Sequence, residues 1–148
     1  MSTPQQHVTV LYAEDDEEDQ MLAKAAMKRA RLHNTIRFVN DGEELLDYLR
    51  QVGQYADPAT APRPGIILLD LNMPRMDGRE ALSEIRSDPN LRQIPVVVLT
   101  TSKEEEDILQ SYEIGANSYL TKPVTFDKLV ELIQHVGDYW FQVVQLPI

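Results

Sequence analysis

A chain of 148 residues with 14 basic and 24 acidic side chains carries a net charge of −10, which argues against direct nucleic-acid binding, because phosphate-backbone affinity needs clustered Lys and Arg. The length suits one domain, and 43% hydrophobic residues can fill a core that buries roughly 68–70% of the unfolded surface. The lack of cysteine excludes disulfides, a thiol nucleophile and thiolate metal sites, and with no secretory leader and no apolar run near the ~18 residues of a membrane span, the expected location is the cytoplasm. Apolar stretches of strand length recur at Val8 to Tyr12, Ile36 to Val39, Ile66 to Leu69, Val96 to Leu99 and Ser118 to Leu120. Most read as strands buried on both faces. Helical periodicity separates them at Met21 to Ala30, Glu43 to Arg50, Arg79 to Arg86, Glu104 to Glu113 and Phe126 to Val136. This alternation predicts a parallel sheet with right-handed crossovers and helices on both faces. Punctuation agrees: Asp77-Gly78 opens the third helix, Asp88-Pro89 closes it, Gly115 follows the fourth, and Thr125 can cap the fifth.

Two segments exceed a minimal α/β domain. Gly53 to Gly65 contains three prolines and two glycines and reads as a solvent-exposed spacer in preference to a binding loop. The tail, Asp138 to Ile148, is dense in apolar residues from Tyr139 and Trp140 onward. We therefore expect one domain over residues 1–138 and an apolar extension over 139–148. The extension either folds back on the domain or forms a dimer or partner surface, and we favour the second.

Ligands of open α/β sheets bind beyond the carboxyl ends of the strands. Glu14 and Asp15 follow the first strand, Asp70 the third, Thr100 the fourth, and Lys122-Pro123 the fifth. Two carboxylates ~4 Å apart repel by about 4 kcal/mol at an effective dielectric of 20, so such a site calls for a cation. Magnesium fits, with Asp15, Asp70 and the backbone carbonyl of Asn72 as ligands and Glu14 acting directly or through water. Zinc is disfavoured, since His7, His33 and His135 lack ligand spacing. Glu17, Glu18 and Asp19 read as solvated charges at a helix N-terminus, and Glu104 to Asp107 as the exposed start of the fourth helix.

Asp70 ends the most apolar strand, and an ionised Asp needs no general base to act as a nucleophile. Attack on a phosphoryl group would give an aspartyl phosphate. Such transfer depends mostly on in-line positioning and charge neutralisation. Lys122 suits one phosphoryl oxygen as a compact charge, and the Thr100 hydroxyl can donate to another.

These residues resemble the receiver domains of bacterial two-component response regulators. The acidic pair lies in Tyr-Ala-Glu14-Asp15-Asp16, the acceptor in Leu-Leu-Asp70-Leu-Asn-Met-Pro-Arg-Met-Asp-Gly78, the switch strand in Val-Leu-Thr100-Thr-Ser, and the closing motif in Tyr119-Leu-Thr-Lys122-Pro123. Glu14 stands where many receivers have Asp. Within the family the chain is most similar to single-domain regulators paired with phytochrome histidine kinases, on the strength of Gln54-Tyr55-Ala-Asp-Pro, Val-Leu-Thr-Thr-Ser-Lys-Glu-Glu-Glu-Asp-Ile, Ala116-Asn-Ser-Tyr-Leu-Thr-Lys-Pro and the ending Tyr-Trp-Phe-Gln-Val-Val-Gln-Leu-Pro.

The resemblance implies a flavodoxin-like sheet of order 2-1-3-4-5 and phosphoryl transfer from a sensor kinase's phosphohistidine to Asp70, with Mg2+ present. It implies no turnover activity and no attached output domain, so that the downstream partner is another protein. It further implies a homodimer built from the fourth and fifth helical units and the tail. Thr100 and Tyr119 would form the switch, although packing alone also accounts for an aromatic at Tyr119. Asn72 and Ser102 resemble positions that tune dephosphorylation. The alternatives are a receiver-like module that works without phosphate and a small phosphatase with an Asp nucleophile. The phosphatase reading is weakened because Asn72, not an acid, stands two residues after Asp70.

Overall fold

The computed structural model describes residues 8–143 and, of their side chains, those through Trp140. Five parallel strands, β1 (Val10–Ala13), β2 (Ile36–Val39), β3 (Ile66–Leu69), β4 (Val96–Thr100) and β5 (Ser118–Thr121), lie in the order β2-β1-β3-β4-β5. The crossovers are α1 (Glu17–Arg29), α2 (Gly42–Arg50), α3 (Gly78–Ser87) and α4 (Glu105–Ile114), and α5 (Phe126–Val136) follows β5. The expected flavodoxin-like order is the one found.

Successive strand side chains point to opposite faces, and here both faces are covered. Leu11, Ala13, Ile67, Leu69, Val96 and Val98 pack with Leu45, Leu46, Ala81, Leu82 and Ile85 of α2 and α3. Val10, Tyr12, Ile66, Leu68, Val97 and Leu99 pack with Ala23, Ala26, Met27 and Ile133 of α1 and α5. Burial on both faces is why the central strands read as unbroken apolar runs. The edge strands β2 and β5 are partly exposed and carry Arg, Ser and Thr.

The first helix starts four residues before its periodic stretch. The Asp16 side chain accepts from the N–H groups of Glu18 and Asp19 at 2.8 and 3.2 Å, and three acids in the first turn complement the helix dipole. Asp77 and Thr125 cap α3 and α5 as expected. Gly115 ends α4 at φ 127°, a conformation that favours glycine. Arg86 seals that corner, donating to the carbonyls of Gly115, Arg92 and Ile94 and to Asn117 Oδ1 at 2.8–3.0 Å.

The segment from Gly53 to Gly65 is exposed over most of its length, as expected of a spacer, but it is also knitted to the domain. A 3-10 turn at Gly53–Tyr55 brings the Tyr55 ring 5.0 Å from that of Tyr48. The Tyr48 hydroxyl donates to the Pro62 carbonyl at 2.8 Å, and Gln51 and Arg37 bond the carbonyls of Ala61 and Thr60. Ala61 is 1% exposed. Its backbone polar groups thus find partners on β2 and α2, which composition could not reveal.

At the other end, a π-helical turn, Gly137–Val143, continues α5. Trp140 packs against the core between the sheet, α1 and α5, whereas Tyr139 stays exposed and meets Trp140 edge-on. Residues 144–148, where the rest of the apolar tail falls, lie outside the described residues.

Candidate functional site

The carboxyl ends of β1, β3, β4 and β5 open onto one crevice. Asp70 directly follows β3, and its backbone N–H is held by the Ala13 carbonyl of β1 at 3.1 Å, so the apolar sheet fixes its carboxylate in place. Thr100 Oγ1 and the Asn72 N–H donate to Oδ1 at 3.0 and 3.1 Å. Lys122 Nζ donates to Oδ2 at 3.0 Å. Both oxygens are engaged in a setting where Asp70 is 6% exposed and Thr100 fully buried.

The same ammonium faces two more carboxylates, pairing with Glu14 Oε2 and with Asp19 Oδ2, the latter at 3.1 Å. Glu14, Asp15 and Asp70 each place an oxygen within 4.8 Å of the other two. Glu14 is buried and Asp15 exposed, so the group opens to solvent on the Asp15 side. An all-oxygen donor set of this charge suits a hard divalent cation such as Mg2+ or Mn2+. Glu14, Asp15 and Asp70 are the residues that would hold such a cation.

The charges are unequally held. Burial raises the Glu14 carboxyl to about 7, helped by a hydrogen bond with Asp70 and opposed by Lys122. Burial also opposes ionisation of Asp70, but the bond with Glu14, the Lys122 charge and the Asn72 N–H outweigh it and hold Asp70 below the usual carboxylate range. Lys122 loses some preference for its charge through burial, yet its anionic neighbours push it above the ordinary lysine value. Asp70 is therefore favoured in its ionised form, whereas burial pushes Glu14 toward its protonated one.

The loop after Asp70 is built for close approach. A Cβ on Gly78 would sit 2.3 Å from the Asp70 carbonyl oxygen, so glycine there lets α3 start directly behind Asp70, and its N–H bonds the Leu71 carbonyl at 2.9 Å. Arg75 adopts φ 64°, a left-handed conformation uncommon outside glycine, and reaches Asp41 Oδ2 at 2.5 Å. Asp41 is 1% exposed and also caps α2. The sequence reading missed this clamp between the β2–α2 turn and the loop after Asp70, although Asp41-Gly-Glu-Glu44 has the form of a helix-capping box. Asp19, read as a solvated charge, is likewise a partner of Lys122.

Ser102 and Tyr119 belong to a network beside the site. The Tyr119 hydroxyl donates to the Ser102 carbonyl at 3.0 Å, and Ser102 Oγ donates to Asp107 Oδ2 at 2.6 Å. Asp107 also pairs with Arg79 of α3 at 2.6 Å. Asp107, expected to be solvated, therefore ties α3, the β4–α4 loop and α4 together. Asn72 lies exposed two residues after Asp70.

Residues 10–134 match the response regulator receiver domain family. Response regulator Rcp1 of Synechocystis sp. is 41% identical over 138 residues, covering 93% of this chain and 92% of Rcp1. The crystal structure of the phosphorylated cyanobacterial phytochrome response regulator RcpA superposes with a TM-score of 0.89 at 41% identity, over 97% of this chain and all of that one. The response regulator RPA3017, in red light signaling of R. palustris, gives 0.91 at 40%, over 95% and 99%. The Mn(2+)-bound form of Rcp1 gives 0.85 at 40%, over the same shares. With strand order, acceptor geometry and sequence all in agreement, this chain belongs to the response regulator receiver domain family.

Proposed function

We propose that this protein is a response regulator that takes a phosphoryl group from the phosphohistidine of a sensor histidine kinase onto Asp70. The observation that carries the reading is the convergence of Thr100 and Lys122 on the two oxygens of an ionised, nearly buried Asp70. In the transfer, an Asp70 oxygen forms the new O–P bond while the P–N bond of the donor breaks and the electron pair returns to the imidazole. Lys122 and the Thr100 hydroxyl then meet the phosphoryl oxygens. Mg2+ at Glu14, Asp15, Asp70 and the Asn72 carbonyl would offset the added charge. The Mn(2+)-bound form of Rcp1 supports a divalent cation in a relative with the same architecture.

The kinase is inferred to be a phytochrome, because relatives similar over almost the whole chain are a phytochrome response regulator and a red-light regulator. The site is a stoichiometric acceptor and not a turnover enzyme, with output passing to a further protein. No helix among the described residues is long and apolar enough to cross a membrane, which accords with action in the cytoplasm. A homodimer is inferred from the face formed by β5 and α5. There Leu120, Val124 and Leu132 line a groove of about 750 Å³, and Val124 is fully exposed. The exposed Tyr139 and the apolar extension over 139–148 adjoin it in sequence.

Incubation with Mg2+ and acetyl phosphate followed by intact-mass measurement tests the central step. A gain of one phosphoryl group, absent in Asp70→Asn and without Mg2+, is expected. Undiminished uptake by Asp70→Asn would overturn the assignment of the acceptor.

A further inference from the structure

A chain of side chains leads away from the acidic pocket toward the segment between α2 and β3. Gln20 Nε2 of α1 donates to the Glu14 carbonyl at 2.5 Å and to Asn40 Oδ1 at 3.0 Å. Asn40 Nδ2 donates to Glu44 Oε2 at 3.2 Å, joined by the Asn40 backbone N–H at 3.4 Å. The other oxygen of Glu44 accepts from the Tyr55 hydroxyl at 2.8 Å. The line therefore runs from Glu14 through Gln20, Asn40 and Glu44 to Tyr55, linking the end of β1, α1, the β2–α2 turn, α2 and the 3-10 turn.

Its direction is determined by chemistry at both ends. The Glu14 carbonyl only accepts, and Glu44 Oε2 already accepts from the Asn40 backbone N–H. Asn40 must then turn its NH2 toward Glu44 and its oxygen toward Gln20, and Gln20 must present its NH2 to both Asn40 and Glu14. Neither amide can flip without facing acceptor to acceptor. The Glu14 N–H is held independently by the Val39 carbonyl at 2.9 Å, so the peptide units on both sides of Glu14 are tethered. The second of these leads directly into Asp15.

We infer that Gln20, Asn40, Glu44 and Tyr55 are positioning residues for the acidic pair, orienting the Glu14–Asp15 peptide and thereby setting the affinity of the pocket for a divalent cation. This rests on the reading of Glu14, Asp15 and Asp70 as the cation site. Outer partners that orient ligands contribute to metal affinity because a freely rotating ligand loses entropy on coordination. The segment from Gly53 to Gly65 thus supports the site from a distance: Tyr55 is braced against Tyr48 and supplies the terminal donor.

The experiment is calorimetric titration of Mn2+ into the full chain, for the wild type, Asn40→Ala, Glu44→Gln, the double variant, Tyr55→Phe and Asp15→Asn, with thermal midpoints recorded without metal. Asn40 is exposed, so its truncation should leave the midpoint unchanged. Asn40→Ala and Glu44→Gln should each weaken Mn2+ binding by about tenfold, the low end for loss of an outer partner. The double variant should be no worse than either single one, because both break one line. Tyr55→Phe should give a smaller loss of the same sign. Wild-type affinity in Asn40→Ala and Glu44→Gln, alongside lost binding in Asp15→Asn, would overturn the positioning role and leave the cation site standing. Undiminished binding in Asp15→Asn, or no binding by the wild type, would overturn the cation site itself.

Discussion

Thr100 Oγ1 donates to Asp70 Oδ1 at 3.0 Å, so in the proposed transfer the hydroxyl that would meet a phosphoryl oxygen already rests on the carboxylate that would take the group. Under that proposal, phosphorylation of Asp70 would exchange this bond for one to the phosphoryl group and draw Thr100 and the loop after β4 along. Thr100→Ala should lose one buried hydrogen bond, about 1 kcal/mol, and still take up phosphate, because Lys122 and the acidic pair remain. The ring resonances of Tyr119, recorded by NMR with and without acetyl phosphate, should respond in the wild type and stay still in the variant. A full response in Thr100→Ala would place the coupling elsewhere.

Cation affinity should depend on pH through Glu14. Its carboxyl is raised by burial from an ordinary 4.5 to about 7, so below neutrality the cation must displace a proton. Mn2+ affinity should climb between pH 5 and about 7 and level off above. For folding the sign is opposite: a raised carboxyl contributes stability that is fully present below 4.5 and is lost as pH rises through about 7. Without metal, the Glu14 contribution should therefore fall across that window, and Glu14→Gln should flatten both profiles. Calorimetry and thermal melts from pH 5 to 8 read the two trends.

Lys122 serves three carboxylates, and its removal should show this before any phosphate is added. Lys122→Met leaves Glu14 and Asp70 buried without their cation, and breaking such a pair costs about 3 kcal/mol at neutral pH. The loss should shrink at pH 5, where Glu14 is protonated, and shrink again with millimolar Mn2+, which replaces the missing charge. A destabilisation insensitive to both would mean that the aliphatic stem, and not the ammonium, holds the corner.

The strands, the helices and the meeting of Asp70, Thr100 and Lys122 were legible in the sequence for different reasons. Central strands buried on both faces leave an unbroken apolar signature with Asp70 and Thr100 at their ends, and Lys122 follows the edge strand β5, so reading strand ends places all three on the same side of the sheet. Asp19 was misassigned because a carboxylate in the first turn of α1 has the same local signature whether it meets solvent or Lys122, more than a hundred positions away. Asn40 and Arg75 carry no periodic or compositional mark at all. Their roles come from turns that topology brings together, as do the backbone bonds of the segment from Gly53 to Gly65.

Asp107 is the residue where that topology most directly bears on switching. It accepts from Ser102 and Arg79, both at 2.6 Å, and these bonds hold it below the usual carboxylate range. Tyr119 completes the bridge through the Ser102 carbonyl. Since Ser102 lies two residues beyond Thr100, a movement of Thr100 toward a phosphoryl group would pull against this bridge, and the bridge would then favour the unphosphorylated arrangement. Asp107→Ala should release the loop and raise the population that accepts phosphate productively, because a two-state equilibrium shifts by the energy its states do not share. Loss of about 1.4 kcal/mol of latch energy would correspond to a tenfold shift. The expected readout is faster phosphoryl uptake from acetyl phosphate, with Tyr119 resonances in the metal-loaded, unphosphorylated variant moved part of the way toward those of the phosphorylated wild type. Uptake at the wild-type rate with unmoved resonances would show that the bridge is structural and carries none of the switching energy.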